Sequence, residues 1–252
     1  MRFPETQVLG VKVSSIPIDD LETYILWLAK VRSGQLFPYI NVHGLNLAQR
    51  DERFRSIINS SSAVLCDGYG AGLAAQLNGL QPAHRLTYPD WSTELAQLSA
   101  RHRLSIYFLG GRRNVAARAL ARMKVETPEM IAAGSHHGYF DLNAGSDENE
   151  AVIREINAAR PDILMVGFGM PLQEYWLDDN AARLDAGALM TGGAVFDYIA
   201  GTARRGPSWM TDHGFEWLAR LIIEPRRLWR RYLLGLPLFG LRFLIDKLRA
   251  KP

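Results

Sequence analysis

Short apolar runs ending in Gly, Asn or Asp alternate along this chain with longer segments in which apolar residues recur every three or four positions. The runs at 8–13, 38–42, 63–66, 105–109, 130–134, 163–167 and 188–191 predict strands. The segments at 20–31, 44–59, 70–77, 90–102, 114–124, 148–159 and 173–184 predict helices. Strands that are apolar throughout need cover on both faces, and the helices between them supply it. The pattern therefore predicts an α/β fold, with a Rossmann-like, mostly parallel sheet and helices on both faces.

Beyond residue 201 the pattern changes. Residues 201–252 hold 11 Lys+Arg against 4 Asp+Glu, whereas residues 1–200 hold 18 against 22. Arg226, Arg227, Arg230 and Arg231 fall at i, i+1, i+4, i+5 among Leu228, Trp229, Tyr232 and Leu233, a spacing that gathers four guanidinium groups along one side of a helix. A basic face of this kind is often only solvated, and basic arms also bind nucleic acid. The aromatic and aliphatic interleaving favours an anionic lipid surface over both. The expected organisation is an α/β body at 1–201 and a basic amphipathic helical appendage at 202–252, joined near Arg204 to Pro207. The most apolar stretch, 233–245, is interrupted by Gly235, Pro237, Gly240 and Arg242. It falls short of the roughly 20 apolar residues of a membrane span, so it should lie on a bilayer rather than cross it. The N-terminus has no apolar core of a secretory signal, and the one cysteine, Cys66, fits a reducing compartment. The expected location is cytoplasmic, peripheral on the inner face of the cell membrane.

In open α/β sheets ligands bind outside the carboxyl ends of the strands, so residues that follow the strands carry the chemistry. Three of these ends are glycine turns leading into helices: Gly110-Gly111, Gly167-Phe168-Gly169 and Gly192-Gly193. Such turns let backbone N–H groups approach a phosphate. Neither GxxxxGK[ST] nor GxGxxG is present, which speaks against a P-loop or an NAD-linked oxidoreductase. Asn41 and His43 follow one strand, and Asp67 follows another beside Gly68. Asp67 suits a general base, and equally an N-cap for the helix near Gly70. Arg85 is placed to bind phosphate, and Asp197 to contact a sugar or base or to solvate its helix. The six histidines form no HExxH and there is no cysteine pair, so no metal site is expected.

Several of these segments, in this order, resemble the WecG/TagA/CpsF glycosyltransferases, glycosyltransferase family 26. The resemblance rests on YINVHGLNLA around Asn41, CDGYG at 66–70, Arg85 before YPDW, FLGG at 108–111, GFGMPLQEYW at 167–176, TGGAVFDYIAG at 191–201 and EWLARLIIEPRRLWRRY at 216–232. It covers nearly the whole chain. It implies an inverting, metal-independent transfer of a sugar from a UDP-sugar to a polyprenyl-diphosphate-linked sugar in bacterial surface polysaccharide synthesis, with no cofactor and no nucleic acid partner. By the same resemblance Asp67 is the base, with Asn41 and Arg85 beside it. Gln173, Asp197 and the glycines of the turns bind the donor, and Arg220, Arg227 and Arg230 meet the acceptor diphosphate and the membrane. Family members often carry Thr two residues before the pocket Asn, where this chain has Tyr39, and its RLTYPD stretch also departs. An N-acetylmannosamine-type and a glucose-type donor are both compatible. The alternative is a non-catalytic nucleotide-sugar-binding scaffold at the membrane.

Overall fold

Apolar residues occupy both faces of most strands, and the chain arranges these strands in two sheets rather than one. A computed structural model of the chain describes residues 1–81, 88–204 and 206–249. Its strands are β1 (Glu5–Val8), β2 (Val11–Ser14), β3 (Leu36–Phe37), β4 (Tyr39–Ile40), β5 (Leu65–Cys66), β6 (Ser105–Gly110), β7 (Ile131–His136), β8 (Ile163–Gly167) and β9 (Ala188–Thr191). The larger sheet runs β3-β9-β8-β6-β7 and is parallel throughout. Side chains alternate across it. Ile106, Phe108, Ile163 and Met165 face helices Ile18–Val31, Tyr88–His102 and Val115–Glu126, while Tyr107, Leu109, Leu164 and Val166 face helices Asp147–Ala159 and Leu172–Asn180. Each such side chain, taken fully from water, contributes about 1.5–3 kcal/mol to holding the layers together.

The smaller sheet runs β1-β2-β5-β4, with β1 antiparallel and the rest parallel. The single strand expected at 8–13 instead spans the turn of a hairpin, from Val8 at the end of β1 into β2. Leu9 and Gly10 both take positive φ, 53° and 73°, and turn the chain back on itself. The strand expected at 38–42 is divided as well. Leu36 and Phe37 pair with β9, whereas Tyr39 and Ile40 pair with β5. Pro38 sits at the crossing, where its missing N–H costs nothing, and its carbonyl accepts from Leu65 N at 2.9 Å. One extended segment thus stitches the two sheets edge to edge. Their carboxyl ends open on one side of that seam.

The C-terminal segment is helical, in the stretches Ser208–Asp212, Glu216–Ile223, Pro225–Trp229 and Gly235–Arg249, with a wider π-helical turn at Arg230–Leu234. It lies on the smaller sheet. Phe239 enters the core around Ile40 and Leu45, Asn46 Nδ2 donates to the Gly235 carbonyl at 2.7 Å, and Arg242 donates to Asn46 Oδ1 at 2.9 Å. Among the described residues no helix is long and apolar enough to cross a membrane.

Candidate active site

The larger sheet reverses its strand order at β6, which pairs with β7 on one side and β8 on the other. Such a switch point leaves a crevice at the carboxyl ends. At its base Gly110 and Gly167 are register partners on β6 and β8, so close that a Cβ on Gly110 would stand 2.4 Å from the Gly167 carbonyl oxygen. Gly110 is thus a packing residue below the surface. Gly111, Gly167, Gly169, Gly192 and Gly193 line the cleft itself, which encloses about 1560 Å³. Asp197, in the first turn of helix Val195–Ile199, also lines it and accepts from Thr202 Oγ1 at 3.1 Å.

The smaller sheet contributes the opposite wall. Register pairs Ile40 with Cys66, so the next residues, Asn41 and Asp67, leave their strands side by side. Asn41 caps helix Val42–Ala48 by accepting from His43 N and Gly44 N at 3.1 and 3.2 Å, and its Nδ2 donates to Asp67 Oδ2 at 3.3 Å. Asp67 does not cap a helix. The N-cap of Tyr69–Leu77 is Gly68, so the Asp67 carboxylate is left for the cleft. Burial raises its pKa; the Asn41 hydrogen bond lowers it, Glu216 raises it further, and Arg220 and Arg231 lower it. His43 stands beside it and is held neutral, its pKa pulled down to about 4 by burial and by the guanidinium groups of Arg231 and Arg50.

The C-terminal segment closes the site with one stripe at helical spacing. Glu216, Arg220, Glu224, Arg227 and Arg231 all line the large cleft. Arg220 is ion-paired to Glu216 at 3.2 Å and lies over the Tyr198 ring at 5.0 Å, and Arg227 pairs with Glu224 at 2.5 Å. The four arginines expected along one side therefore separate into two pairs. Arg227 and Arg231 line the cleft, the first of them at its exposed rim, while Arg226 and Arg230 are exposed outside it, with the Arg230 guanidinium 5.2 Å from the Trp229 ring. Arg231, not Arg230, is the one of these two beside Asp67. A second, smaller cleft of about 190 Å³ shares Asn41, His43, Asp67, Glu216, Arg220 and Arg231 with the first, and its other walls include Tyr69, Trp217, Tyr232 and Leu236. Asp67 thus stands where a polar cleft meets a more apolar one.

Gln173, expected at the donor, does not reach the cleft surface. It is fully buried behind the glycine turns. Its Oε1 accepts from Gly169 N at 3.2 Å and Gly193 N at 3.0 Å, and its Nε2 donates to Glu174 Oε1 at 2.7 Å. Arg85 lies outside the described residues. Sequence reasoning also passed over Arg112, Arg113 and Arg118, which follow the Gly110-Gly111 turn and line the cleft. The signal for Arg112 and Arg113 was the run GGRRN at a helix N-terminus, where anions are favoured, and Arg118 follows one turn later. Among the described residues no three His, Cys, Asp or Glu side chains come together in a cluster able to hold a metal.

This geometry can be set beside known proteins. The family model described as "Glycosyl transferase WecG/TagA/CpsF family" matches residues 6–252. The chain is 27% identical over 237 residues to the N-acetylglucosaminyldiphosphoundecaprenol N-acetyl-beta-D-mannosaminyltransferase of Bacillus subtilis (strain 168), spanning 92% of this chain and 89% of that protein. It is also 27% identical over 249 residues to the protein of the same name from Staphylococcus aureus (strain NCTC 8325 / PS 47), spanning 98% and 95%. With a family match over nearly its whole length, and a carboxylate at the meeting point of two clefts, the chain belongs to the WecG/TagA/CpsF family of glycosyltransferases.

Proposed function

We propose that this glycosyltransferase moves a hexose or N-acetylhexosamine from a UDP-sugar to a polyprenyl-diphosphate-linked sugar during synthesis of a cell-surface polymer. The observation that carries the reading is the position of Asp67, free of any capping role, at the junction of the two clefts. The donor lies in the large cleft, its diphosphate near the glycine turns and the arginines of the rim. The acceptor sugar enters from the smaller cleft. Asp67 removes the proton from the acceptor hydroxyl as that oxygen attacks the anomeric carbon from the face opposite UDP, which inverts the carbon. Arg220, Arg227 and Arg231 supply the positive charge that a metal ion provides in other transferases. Both relatives are named for N-acetylmannosamine transfer to an N-acetylglucosamine-diphosphate lipid, which supports that pair as the first substrates to test. The direct experiment assays UDP release in EDTA from a panel of UDP-sugars, with a GlcNAc-diphosphate-polyprenyl acceptor. Acceptor-dependent release supports the reading, and strict dependence on added Mg²⁺ or Mn²⁺ refutes its metal-free part.

The reading includes a membrane role for residues 202–252 beside a body at 1–201, on the cytoplasmic face. Support comes from the outward side of the C-terminal helices, where Trp229, Leu233, Leu234, Leu238, Leu241 and Leu244 are exposed alongside Arg226 and Arg230. Each basic residue near an anionic surface contributes roughly 1 kcal/mol, so removing two costs about 30-fold in partitioning. Arg226→Ala/Arg230→Ala is expected to lose about that factor in binding to phosphatidylglycerol-rich vesicles at moderate salt. Sedimentation with such vesicles checks this, and unchanged binding would remove these arginines from the membrane face.

A further inference from the structure

Beneath the cleft lies a buried polar cluster that the transfer chemistry does not use. Gln173, Glu174 and Thr191 are all fully buried, in a seam otherwise built from apolar side chains. Such groups are tolerated only when hydrogen-bonded. The Gln173 amide is saturated. Its oxygen takes the N–H groups of Gly169 and Gly193, its nitrogen donates to Glu174, and the Tyr39 phenol is hydrogen-bonded to the same side chain. These contacts reach three separate parts of the site. Gly169 lies in the turn after β8, Gly193 in the turn after β9, and Tyr39 on β4 of the other sheet, where its backbone N–H also meets Thr191 Oγ1 at 3.2 Å. Tyr39, Gly169 and Gly193 all line the large cleft. The Tyr39 hydroxyl packs so tightly that a Cβ on Gly193 would be 2.4 Å from it.

An amide has two orientations that differ little in shape, and only one serves this cluster. Turned over, Gln173 would present its NH₂ to two backbone N–H donors and its oxygen to a carboxyl oxygen. An ionised carboxylate offers acceptors alone, so a glutamate at the amide end accepts one orientation and repels the other. Glu174 is that group, and its second oxygen, Oε2, is buried without a hydrogen-bond partner. We propose that Glu174 is a positioning residue of the donor half of the site. By accepting from Gln173 it anchors the nitrogen end of that amide with the oxygen toward the two turns, and so holds the turns at Gly169 and Gly193 and the Tyr39 ring in the arrangement that floors the cleft. This rests on reading the large cleft as the nucleotide-sugar site. A buried carboxylate with one oxygen left unpartnered is a costly choice for a merely structural position, since an apolar side chain of similar size fills the same space.

Two measurements test it. In the first, UDP affinity is measured by calorimetry, with the thermal midpoint recorded alongside, for wild type, Glu174→Leu, Glu174→Gln and Ile156→Val, the last being a core change away from the cleft. Glu174→Leu should weaken UDP binding at least ten-fold. Glu174→Gln, which keeps an acceptor oxygen, should recover most of that loss, and Ile156→Val should leave affinity unchanged. In the second, ¹⁵N-glycine spectra are followed with pH in an Asp67→Asn background, so that the cleft carboxylate contributes nothing. Burial is the largest cause that pushes Glu174 up to about 7, with the Gln173 hydrogen bond opposing it, so it titrates near neutrality. Its titratable neighbours do not: burial raises Tyr39 beyond the ordinary tyrosine range and raises Tyr175 to about 12, and the charge on Glu174 adds to both. The Gly169 and Gly193 resonances should therefore move together with a midpoint near 7, and the movement should vanish when Glu174→Gln is added. The inference fails if those resonances stay flat between about pH 5 and 9, or if folded Glu174→Leu binds UDP within two-fold of wild type. Should Glu174→Leu not fold, the resonances decide alone. Absence of UDP binding to wild type would defeat the nucleotide reading instead, and would leave the resonances to judge whether Glu174 positions the two turns.

Discussion

Asp67→Asn is expected to slow transfer by about 10²- to 10⁴-fold, the usual cost of losing a general base, while UDP affinity and the thermal midpoint stay close to wild type. The carboxamide has the same size and still meets Asn41, now with an oxygen toward its Nδ2. It accepts no proton from the acceptor hydroxyl. The side chain caps no helix, so little stability is at stake. As the proposed base, the same carboxylate should also set the pH dependence. Transfer needs it ionised, and burial raises its pKa, so the acid limb of kcat/KM should lie above the ordinary carboxylate range. Wild-type turnover by purified Asp67→Asn would retire the assignment.

Arg231→Gln should lower kcat/KM for a short-chain, water-soluble acceptor by roughly 10- to 150-fold, the equivalent of about 1.5–3 kcal/mol for a charge-assisted hydrogen bond. Arg230→Gln on the same acceptor should stay within about two-fold, as exposed surface changes away from such contacts do. The contrast follows from where the two guanidinium groups stand, one between the clefts beside Asp67 and one outside over Trp229. A soluble acceptor makes membrane attachment irrelevant, so a loss reports on the site itself. Arg231 also lowers the Asp67 pKa, and Glu216 raises it. Arg231→Gln should therefore shift the acid limb to higher pH and Glu216→Gln to lower pH. Equal losses for Arg230 and Arg231, or limbs that move the other way, would contradict this placement.

The chain's own pattern made the alternation of strands and helices legible, and with it the three glycine turns, because strands apolar on both faces announce a covered sheet. The second sheet was less so. It depends on Leu9 adopting positive φ, which no ordinary turn signal marks, and on Pro38, which reads as the start of one strand but separates two. The long helix expected at 44–59 is two helices, Val42–Ala48 and Glu52–Ser60, and the second is capped by Asp51 through Phe54 N at 3.0 Å. Asn41 and Asp67 were legible as polar residues at strand ends, and their pairing follows from register. Arg231 was obscured by the i, i+1, i+4, i+5 cluster, which does not say which pair turns inward. The stripe from Glu216 through Arg220 and Arg227 to Arg231 does say so, once Glu216 is read as part of it. Gln173 was marked by resemblance, yet a burial in which the amide's four hydrogen-bonding positions are all taken is a property of the fold that composition and spacing do not carry.

In the proposed mechanism Asp67 drives a single in-line displacement at the anomeric carbon of a UDP-sugar. The most direct measurement is the anomeric configuration of the product, read from the one-bond C1–H1 coupling after wild-type enzyme and EDTA convert an α-linked UDP-[1-¹³C]-N-acetylmannosamine, or the corresponding glucose donor, in the presence of the GlcNAc-diphosphate lipid. A β-linked product is expected from wild type and almost none from Asp67→Asn. An α-linked product, or a β-linked one formed as fast by Asp67→Asn, would contradict it.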